Sequence, residues 1–362
     1  MKTIKLKELG TFKNGLNFTN SEIINPCKIL GVADFKDNVF PPYTKLKSVD
    51  EDVVPADSLL EENDIVFVRS NGNKNLVGRT LFIKNIHEKI TFSGFCIRFR
   101  PTDERVSPAY IFYMLKTKFC KQQYSYSQQT NITNLSQDVL GNVEIPIFDN
   151  MNKNVELLLD VDAAINNNLN LMDDLDCYAN AILDYSISEK YLNNKYDCLV
   201  KDLVEIDNGK EYANFATENG KYRYFTCSQD VLWCDEYAFD NSAIIVATHG
   251  DFHVEHFIGK FNAYFCNSIL VPKNKKFYGL VYYSLCKYLP KLKKQSSGSV
   301  IKFIGNDDLL GLPLYIPENQ AVMEQLNSVL EYKQSLINQN INYSEIKKNF
   351  NDIFLNGQVT FK

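Results

Sequence analysis

Between His256 and Asn306 the sequence contains no aspartate or glutamate, while nine lysines stand there: Lys260, Lys273, Lys275, Lys276, Lys287, Lys291, Lys293, Lys294 and Lys302. In a chain of formal charge −5 this gap marks one strongly cationic region inside an acidic protein, the pattern of a surface that meets a polyanion. Other absences narrow the chemistry. The nine cysteines include no C-x-x-C pair, which removes the usual redox motif and the paired thiolates of a structural zinc site. No apolar run approaches the length of a bilayer span, and the opening "MKTIKLKELG" lacks the apolar core of a signal peptide. Reduced thiols, a cytoplasmic location and no membrane partner are therefore expected. Neither a phosphate-cradling G-x-x-x-x-G-K-[ST] nor a nucleophile elbow G-x-S-x-G occurs.

What is present fits two packed domains. A chain of 362 residues with 45% hydrophobic and 13% aromatic residues can bury two real cores. A milder basic bias runs from Ile65 to Gln137, with eleven Lys or Arg against Glu88, Asp103 and Glu104. The compensating acids, among them Asp160, Asp162, Asp173, Asp174 and Asp176, lie in helical sequence. That segregation describes two polyanion-binding lobes joined by helices with a different task.

Repeats organise the chain. "LKELGTFKNG" from Leu6 is echoed by "VKDLVEIDNG" from Val200; "DIVFVRSNG", ending at Gly72, by "SAIIVATHG", ending at Gly250; "FYML" from Phe112 by "YYSL" from Tyr282. "DVLGNVEIPI" from Asp138 returns as "DDLLGLPLYIP" from Asp307, and "AINNNLNL" from Ala164 as "LINQNINY" from Leu336. The order is kept while the offset falls from 194 to 178 and settles near 170 to 172. Tandem duplication explains this, with longer insertions at the front of the first half.

Each half reads as a mixed lobe. "NDIVFVRS" and "SAIIVATHG" are buried strands that run into loops, and "TFSGFCIRFRP" and "AYFCNSILVP" are further strands, closed by Pro101 and Pro272. Ser107 and Pro108 stand at the N-cap and first position of a helix, and "FYGLVYYSLCKYL" is its counterpart. The expected architecture is α+β, with two mixed recognition lobes (1–149 and 194–317), each followed by a long helix (150–193 and 318–362). In the first helix Leu158, Val161, Ile165, Asn168, Met172, Leu175, Ala179 and Ile182 fall at heptad spacing; Leu330, Lys333, Ile337 and Asn340 correspond in the second. Two equivalent helices after two equivalent lobes are expected to pair antiparallel about a pseudo-twofold axis. An asparagine at a seam costs stability but fixes register, because its amide needs a polar partner. Asn168 and Asn340 are expected to face one another at that axis.

Candidate binding residues cluster after the strands. Arg69, Asn71, Asn73, Lys74 and Arg79 occupy the first such loop, and His249, Asp251 and His253 the second. Arginine pairs bidentately with guanine and asparagine with adenine, whereas lysine mainly meets phosphate. Thr130, Asn131 and Ser297 to Ser299 form candidate second contact loops, with Lys291, Lys293 and Lys294 on the backbone. Two other readings compete. His249, His253, Glu255 and His256 suggest a metal-dependent hydrolase or nuclease, although no helical H-E-x-x-H is present and no other cluster completes the ligand set. A helical scaffold with RNA-binding lobes is the other. "VFPPY" from Val39 is similar to the proline-proline-aromatic motif of amino-methyltransferases, but Phe40 stands where the amide or carboxylate belongs.

The order of lobe, long helix, lobe and long helix resembles the specificity subunits of type I restriction-modification systems, over nearly the whole chain. "DIVFVRSNGNKNLVGR" from Asp64 and "QQTNITNLSQDVLGNVEIPI" from Gln128, with the helix after it, carry the resemblance. It implies a non-catalytic subunit, without catalytic residues, metal or cofactor of its own, whose two lobes each read one half of a split site in double-stranded DNA. It also implies helices that hold two methyltransferase subunits and, where present, restriction or translocase subunits. S-adenosylmethionine would then be bound by the partner methyltransferase. A 35-residue helix is about 50 Å long and half-sites on one DNA face recur every 34 Å or so, so such helices are long enough to space two lobes.

Overall fold

The computed structural model describes residues 2–18, 22–35, 39–73, 76–125, 134–147, 151–218, 220–296 and 302–354. The chain divides into two compact units, the first Met1–Asn167 with Asn342–Lys362 and the second Asn168–Ile341. Both dividing points lie inside the long helices, Met151–Leu192 and Gln320–Phe354.

In the first unit, strand Ile65–Val68 lies between Cys96–Pro101 and Thr80–Phe82, and Gly10–Asn14 completes a four-stranded sheet. All four residues of Ile65–Val68 are buried, because the strand serves two cores. Ile65 and Phe67 pack with helix Pro108–Lys116, while Val66 and Val68 join Leu30, Phe92 and Leu81 on the other face, the two-residue period of a strand. A three-stranded sheet, Lys47–Asp50, Pro26–Leu30 and Ile90–Phe92, stands beside it. The helix starts as its sequence requires: Ser107 Oγ accepts the Tyr110 N–H at 3.2 Å and Pro108 occupies the first turn.

The second unit repeats the plan with one continuous sheet of six strands in the order Val204–Asn208, Asn267–Pro272, Phe239–Ala247, Val254–Ala263, Tyr222–Phe225, Leu232–Cys234. Ten-residue Val254–Ala263 pairs antiparallel with Phe239–Ala247 from Val254 to Phe261 and parallel with Tyr222–Phe225 on its other edge, from Phe261 to Ala263. In the first unit these two duties fall to separate strands, Thr80–Phe82 and Ile90–Phe92. Residues 83–89 between them split one sheet into two. Ile244 and Val246 face helix Tyr278–Gln295 and Ala243 and Ile245 the opposite core, as in the first unit.

Three expected elements differ in detail. "TFSGFCIRFRP" and "AYFCNSILVP" are each interrupted by a tight turn, closed by Cys96 N–H to Ser93 C=O at 2.9 Å and by Asn267 N–H to Tyr264 C=O at 2.8 Å. The helix expected to end at Leu289 continues through Pro290 to Gln295. Proline removes one helical N–H donor, yet the continuation buries Leu292 and places Lys291, Lys293 and Lys294 in the last turns.

The long helices run antiparallel. Within the second unit Asn168 Nδ2 donates to Asn340 Oδ1 at 2.9 Å, and further along Lys333 donates to Asp176. Ala179, Leu183 and Ile187 share a core with Met323, Leu326, Val329 and Leu330; Met172 and Ile337 are half-buried. Within the first unit Leu158 is buried in the lobe core and Ile165 is half-buried, while Lys347 Nζ meets Asp162 Oδ1 at 2.6 Å.

Candidate nucleic-acid interface

In the first unit the chain leaves strand Ile65–Val68 at Arg69, and two segments converge there. The Arg69 N–H donates to Phe95 C=O at 2.8 Å, and the Leu135 N–H donates to Arg69 C=O at 2.8 Å, with Ser70 bridging Asn134. The 93–96 turn is itself clasped, because Gly94 N–H reaches Leu16 C=O at 2.7 Å and Gly15 N–H reaches Cys96 C=O at 3.1 Å. Gly15 is obligatory: a Cβ there would lie 2.1 Å from Ser93 O. In the second unit the same frame is built from Thr248 N–H to Cys266 C=O, Ile304 N–H to Thr248 C=O, Phe265 N–H to Glu211 C=O and Gly209 N–H to Asn267 C=O. Here His249 bridges Phe303, and a Cβ on Gly209 would lie 2.1 Å from Tyr264 O. The hydrogen bonds thus equate Arg69 with Thr248, Ser70 with His249, Asn134 with Phe303, and Gly94 with Phe265.

The side chains around the first frame have mixed duties. Arg69 is half-buried, with its Nη1 3.4 Å from Gly94 O. Asn71 Oδ1 accepts the Asn73 N–H at 2.8 Å, a local turn. Arg79 reaches inward to Phe35 C=O at 3.2 Å. Lys74, Thr130 and Asn131 lie outside the described residues, as does Ser297 in the second half. Part of the basic bias here is structural: Arg98 is buried and donates to Asp57 and Leu59 C=O, and Arg100 pairs with buried Asp64 through two nitrogens at 2.8 Å.

In the second frame Gly250 takes φ 68°, the left-handed conformation that lets the chain turn sharply after the strand. His249 is half-buried, its Nδ1 3.0 Å from Thr248 Oγ1 and its ring stacked on Phe303. His253 is buried with both nitrogens engaged, Nδ1 on Asp251 C=O at 2.6 Å and Nε2 on Glu255 at 3.1 Å. Burial opposes its protonation, but Glu255 and the Asp251 carbonyl outweigh that and raise its pKa. His256 lies on the other face of its strand, buried against Tyr278 and Tyr282, where burial drops its pKa to about 3. Strand alternation therefore separates His256 from Glu255, and among the described residues no three His, Cys, Asp or Glu side chains form a metal-holding group. Lys291, Lys293 and Lys294 are exposed, Lys293 being 3.7 Å from Asp251. Phe40 is buried in the lobe core, a packing residue. Among the described residues no helix is long and apolar enough to cross a membrane.

Beside the two frames stand exposed rings that the sequence did not single out, Phe95, Tyr212, Phe265 and Phe303. Aromatic residues in strand-rich sequence are usually core, so residue type alone gave no signal.

The specificity subunit of the type I restriction enzyme EcoDI of Escherichia coli is 30% identical over 166 residues, covering 44% of this chain and 37% of that protein. The chain thus spans little more than a third of that relative's length in the match. A crystal structure of a type I restriction-modification S subunit from M. genitalium superposes with a TM-score of 0.55 over 96% of this chain and 94% of its own, at 14% identity, which establishes a shared fold. The model of the type I restriction modification DNA specificity domain matches residues 1–171 and again 198–347, and with nearly the whole length covered by two copies, the chain belongs to that family.

Proposed function

We propose that this chain is the DNA-recognition subunit of a type I system, each unit reading one half of a bipartite duplex site. Residues 1–149 and 194–317 are the recognition domains, and the helices of 150–193 and 318–362 hold the methyltransferase subunits, two of them, with restriction subunits where these are encoded. The chain performs no chemistry itself and acts in the cytoplasm, where its DNA is. One observation carries this reading: the same hydrogen-bonded frame is built twice and presents different side chains, Arg69 and Asn134 in one unit, His249 and Phe303 in the other. A fixed backbone with exchanged side chains is what two different base sequences require.

Direct readout falls to the residues at these frames, with Arg69, Asn71 and Asn73 offered by the first and His249 by the second. Lys74, Lys291, Lys293 and Lys294 contribute backbone affinity, and Thr130, Asn131 and Ser297 are further contact residues assigned on their sequence. The histidine-loop enzyme finds no support, because the three rings point to different places. The test is co-expression with the methyltransferase encoded beside the gene, followed by sequencing that reports modified adenine. A motif of two short halves with an unspecified gap, absent without this chain, is expected. A soluble complex with an active methyltransferase and no motif would refute the reading. Arg69→Ala is expected to relax one half of the motif by about 1–3 kcal/mol of base discrimination and leave the other unchanged.

A further inference from the structure

The second frame presents Phe303 and Phe265 where the first presents Asn134 and Gly94, while the first exposes a ring of its own one residue on, Phe95. Phe303 is 43% exposed, Phe265 47% and Tyr212 70%. They form one neighbourhood: Phe303 stacks on His249 with centroids 5.9 Å apart and planes at 18°, and Phe265 lies 5.5 Å from Tyr212 and 4.5 Å from Tyr264. The two groups are joined through Thr248, whose N–H is bonded to Cys266 C=O beside Phe265 and whose C=O takes the Ile304 N–H beside Phe303. At the equivalent places the first unit has Asn134 for Phe303 and Gly94 for Phe265. Several exposed rings in one place mark a binding surface, and exposed Lys302, next to Phe303 in the chain, offers it a charge for phosphate.

Resting on the DNA-recognition reading above, we propose that the second unit recognises thymine, through apolar contact of Phe303 and Phe265 with thymine methyl groups in the major groove. A phenyl ring offers a base edge no hydrogen bond, and the C5-methyl of thymine is the apolar group which the major groove displays. Phe303 is stacked on His249 at 18°, which ties the ring to its own frame, and the proposed contact is side-on to base edges rather than a wedge between base steps. The first unit, with Asn134 and Gly94 at the equivalent places, lacks this pair of rings and brings Arg69 to its frame beside Phe95.

The experiment takes the full chain in complex with its methyltransferase and the methylated motif once that is mapped. Each thymine of the motif is replaced singly by uracil, which removes one methyl group and nothing else, and binding is measured by fluorescence anisotropy. At one or more thymines of one half, uracil is expected to weaken binding roughly fourfold, the worth of one methyl-sized group buried. Phe303→Ala, an exposed position, is expected to bind thymine and uracil duplexes equally at that place, and Phe303→Leu to retain part of the discrimination. Equal binding of wild type to every uracil duplex would overturn the proposal, as would discrimination that survives both Phe303→Ala and Phe265→Ala. Increased 2-aminopurine fluorescence in that half without a uracil effect would show a wedge and also overturn it. Failure of the complex to bind or methylate any motif would instead refute the DNA-recognition reading itself, a distinct result.

Discussion

In the first unit a buried carboxylate, Asp162, 4% exposed, accepts the Tyr113 hydroxyl at 2.6 Å and meets Lys347, whose side chain is 26% exposed. In the second a buried ammonium, Lys333, 7% exposed, meets Asp176, which is 37% exposed and accepts the Tyr283 hydroxyl at 2.9 Å. Tyr113 and Tyr283 are equivalent by the sequence repeat, and burial, then the neighbouring carboxylate, keeps both phenols protonated as donors. The two aspartates are 14 residues apart on one helix (176 − 162) and the two lysines 14 apart on the other (347 − 333). At the offset of 172 that joins Asn168 to Asn340, the repeat sets Asp162 against Gln334 and Asp176 against Lys348, so the duplication does not relate the two ion pairs residue by residue. The difference teaches that each unit keeps a carboxylate, a lysine and an equivalent tyrosine at the helix pair while burying the opposite charge.

That inversion predicts a crossed pattern of costs, the largest effects expected. Removing one partner of a buried pair is severe when the remaining charge is the one sealed from water. Lys347→Met strands Asp162 and Asp176→Asn strands Lys333, and each is expected to lose about 3 to 5 kcal/mol. Lys333→Met and Asp162→Asn leave a charge that reaches solvent and are expected to cost about 1 kcal/mol or less. Urea unfolding of the four variants measures this. Four equal costs would break the comparison.

A second contrast lies at one position. His256 pairs across the sheet with Ile244 as Phe82 does with Ile65, and each ring lies 5.2 Å from an equivalent aromatic, Tyr282 or Phe112. The second unit thus has, where the first has a core phenylalanine, a histidine whose Nε2 meets no hydrogen-bond partner among the described residues. With the folded pKa depressed to about 3 from 6.5, the unfolded chain binds the proton first. The unit therefore loses stability as pH falls below 6.5, by about 2 kcal/mol at pH 5, and nothing is lost above neutrality. His253 acts with the opposite sign: its raised pKa adds stability at acid pH that fades as pH rises through the folded value. His256→Phe, the first unit's own residue, is expected to remove the acid loss while leaving the His253 contribution. Urea midpoints at pH 5 and pH 8 for both proteins check it, and an unchanged difference would place the acid sensitivity elsewhere.

Much of the fold was legible because burial leaves a pattern. Ile65–Val68 and Phe239–Ala247 read as strands from apolar run and bounding glycine, Ser107-Pro108 as a helix start, and the five echoes as two units. The α+β class and the antiparallel helices followed from their order. The tight turns at 93–96 and 264–267 were hidden, because a hydrogen-bonded turn between apolar residues looks like strand. The site was legible as far as the strand exits, at Arg69 and His249. The engagement of Arg79 with Phe35 was not, since it depends on a segment that only folding brings close, and that of His253 with Asp251 and Glu255, two residues to either side, is set by local backbone geometry that residue types do not state. The ring platform escaped for the same reason: exposure of Phe265 or Phe303 is set by turn geometry rather than by periodicity.

The smallest effect tests the seam itself. The Asn168 amide donates to Asn340 Oδ1 at 2.9 Å, with Gln339 Oε1 at 3.4 Å beside it. Asn168→Leu is expected to cost about 1 kcal/mol, the net worth of one hydrogen bond plus a poorly met amide on Asn340. Changing both to leucine replaces the polar pair by apolar surface and is expected to restore most of that stability. The polar contribution to register then comes from Lys333 with Asp176 and from Lys347 with Asp162. Hydrogen exchange across Asn168–Leu175 and Gln334–Ile341 is expected to show the double variant as stable as wild type in thermal melts yet less protected near these positions. Unchanged protection, with unchanged stability, would mean that the ion pairs specify register without the asparagines. The repeated asparagine phrase would then be an inheritance of the duplication with no present task at the seam.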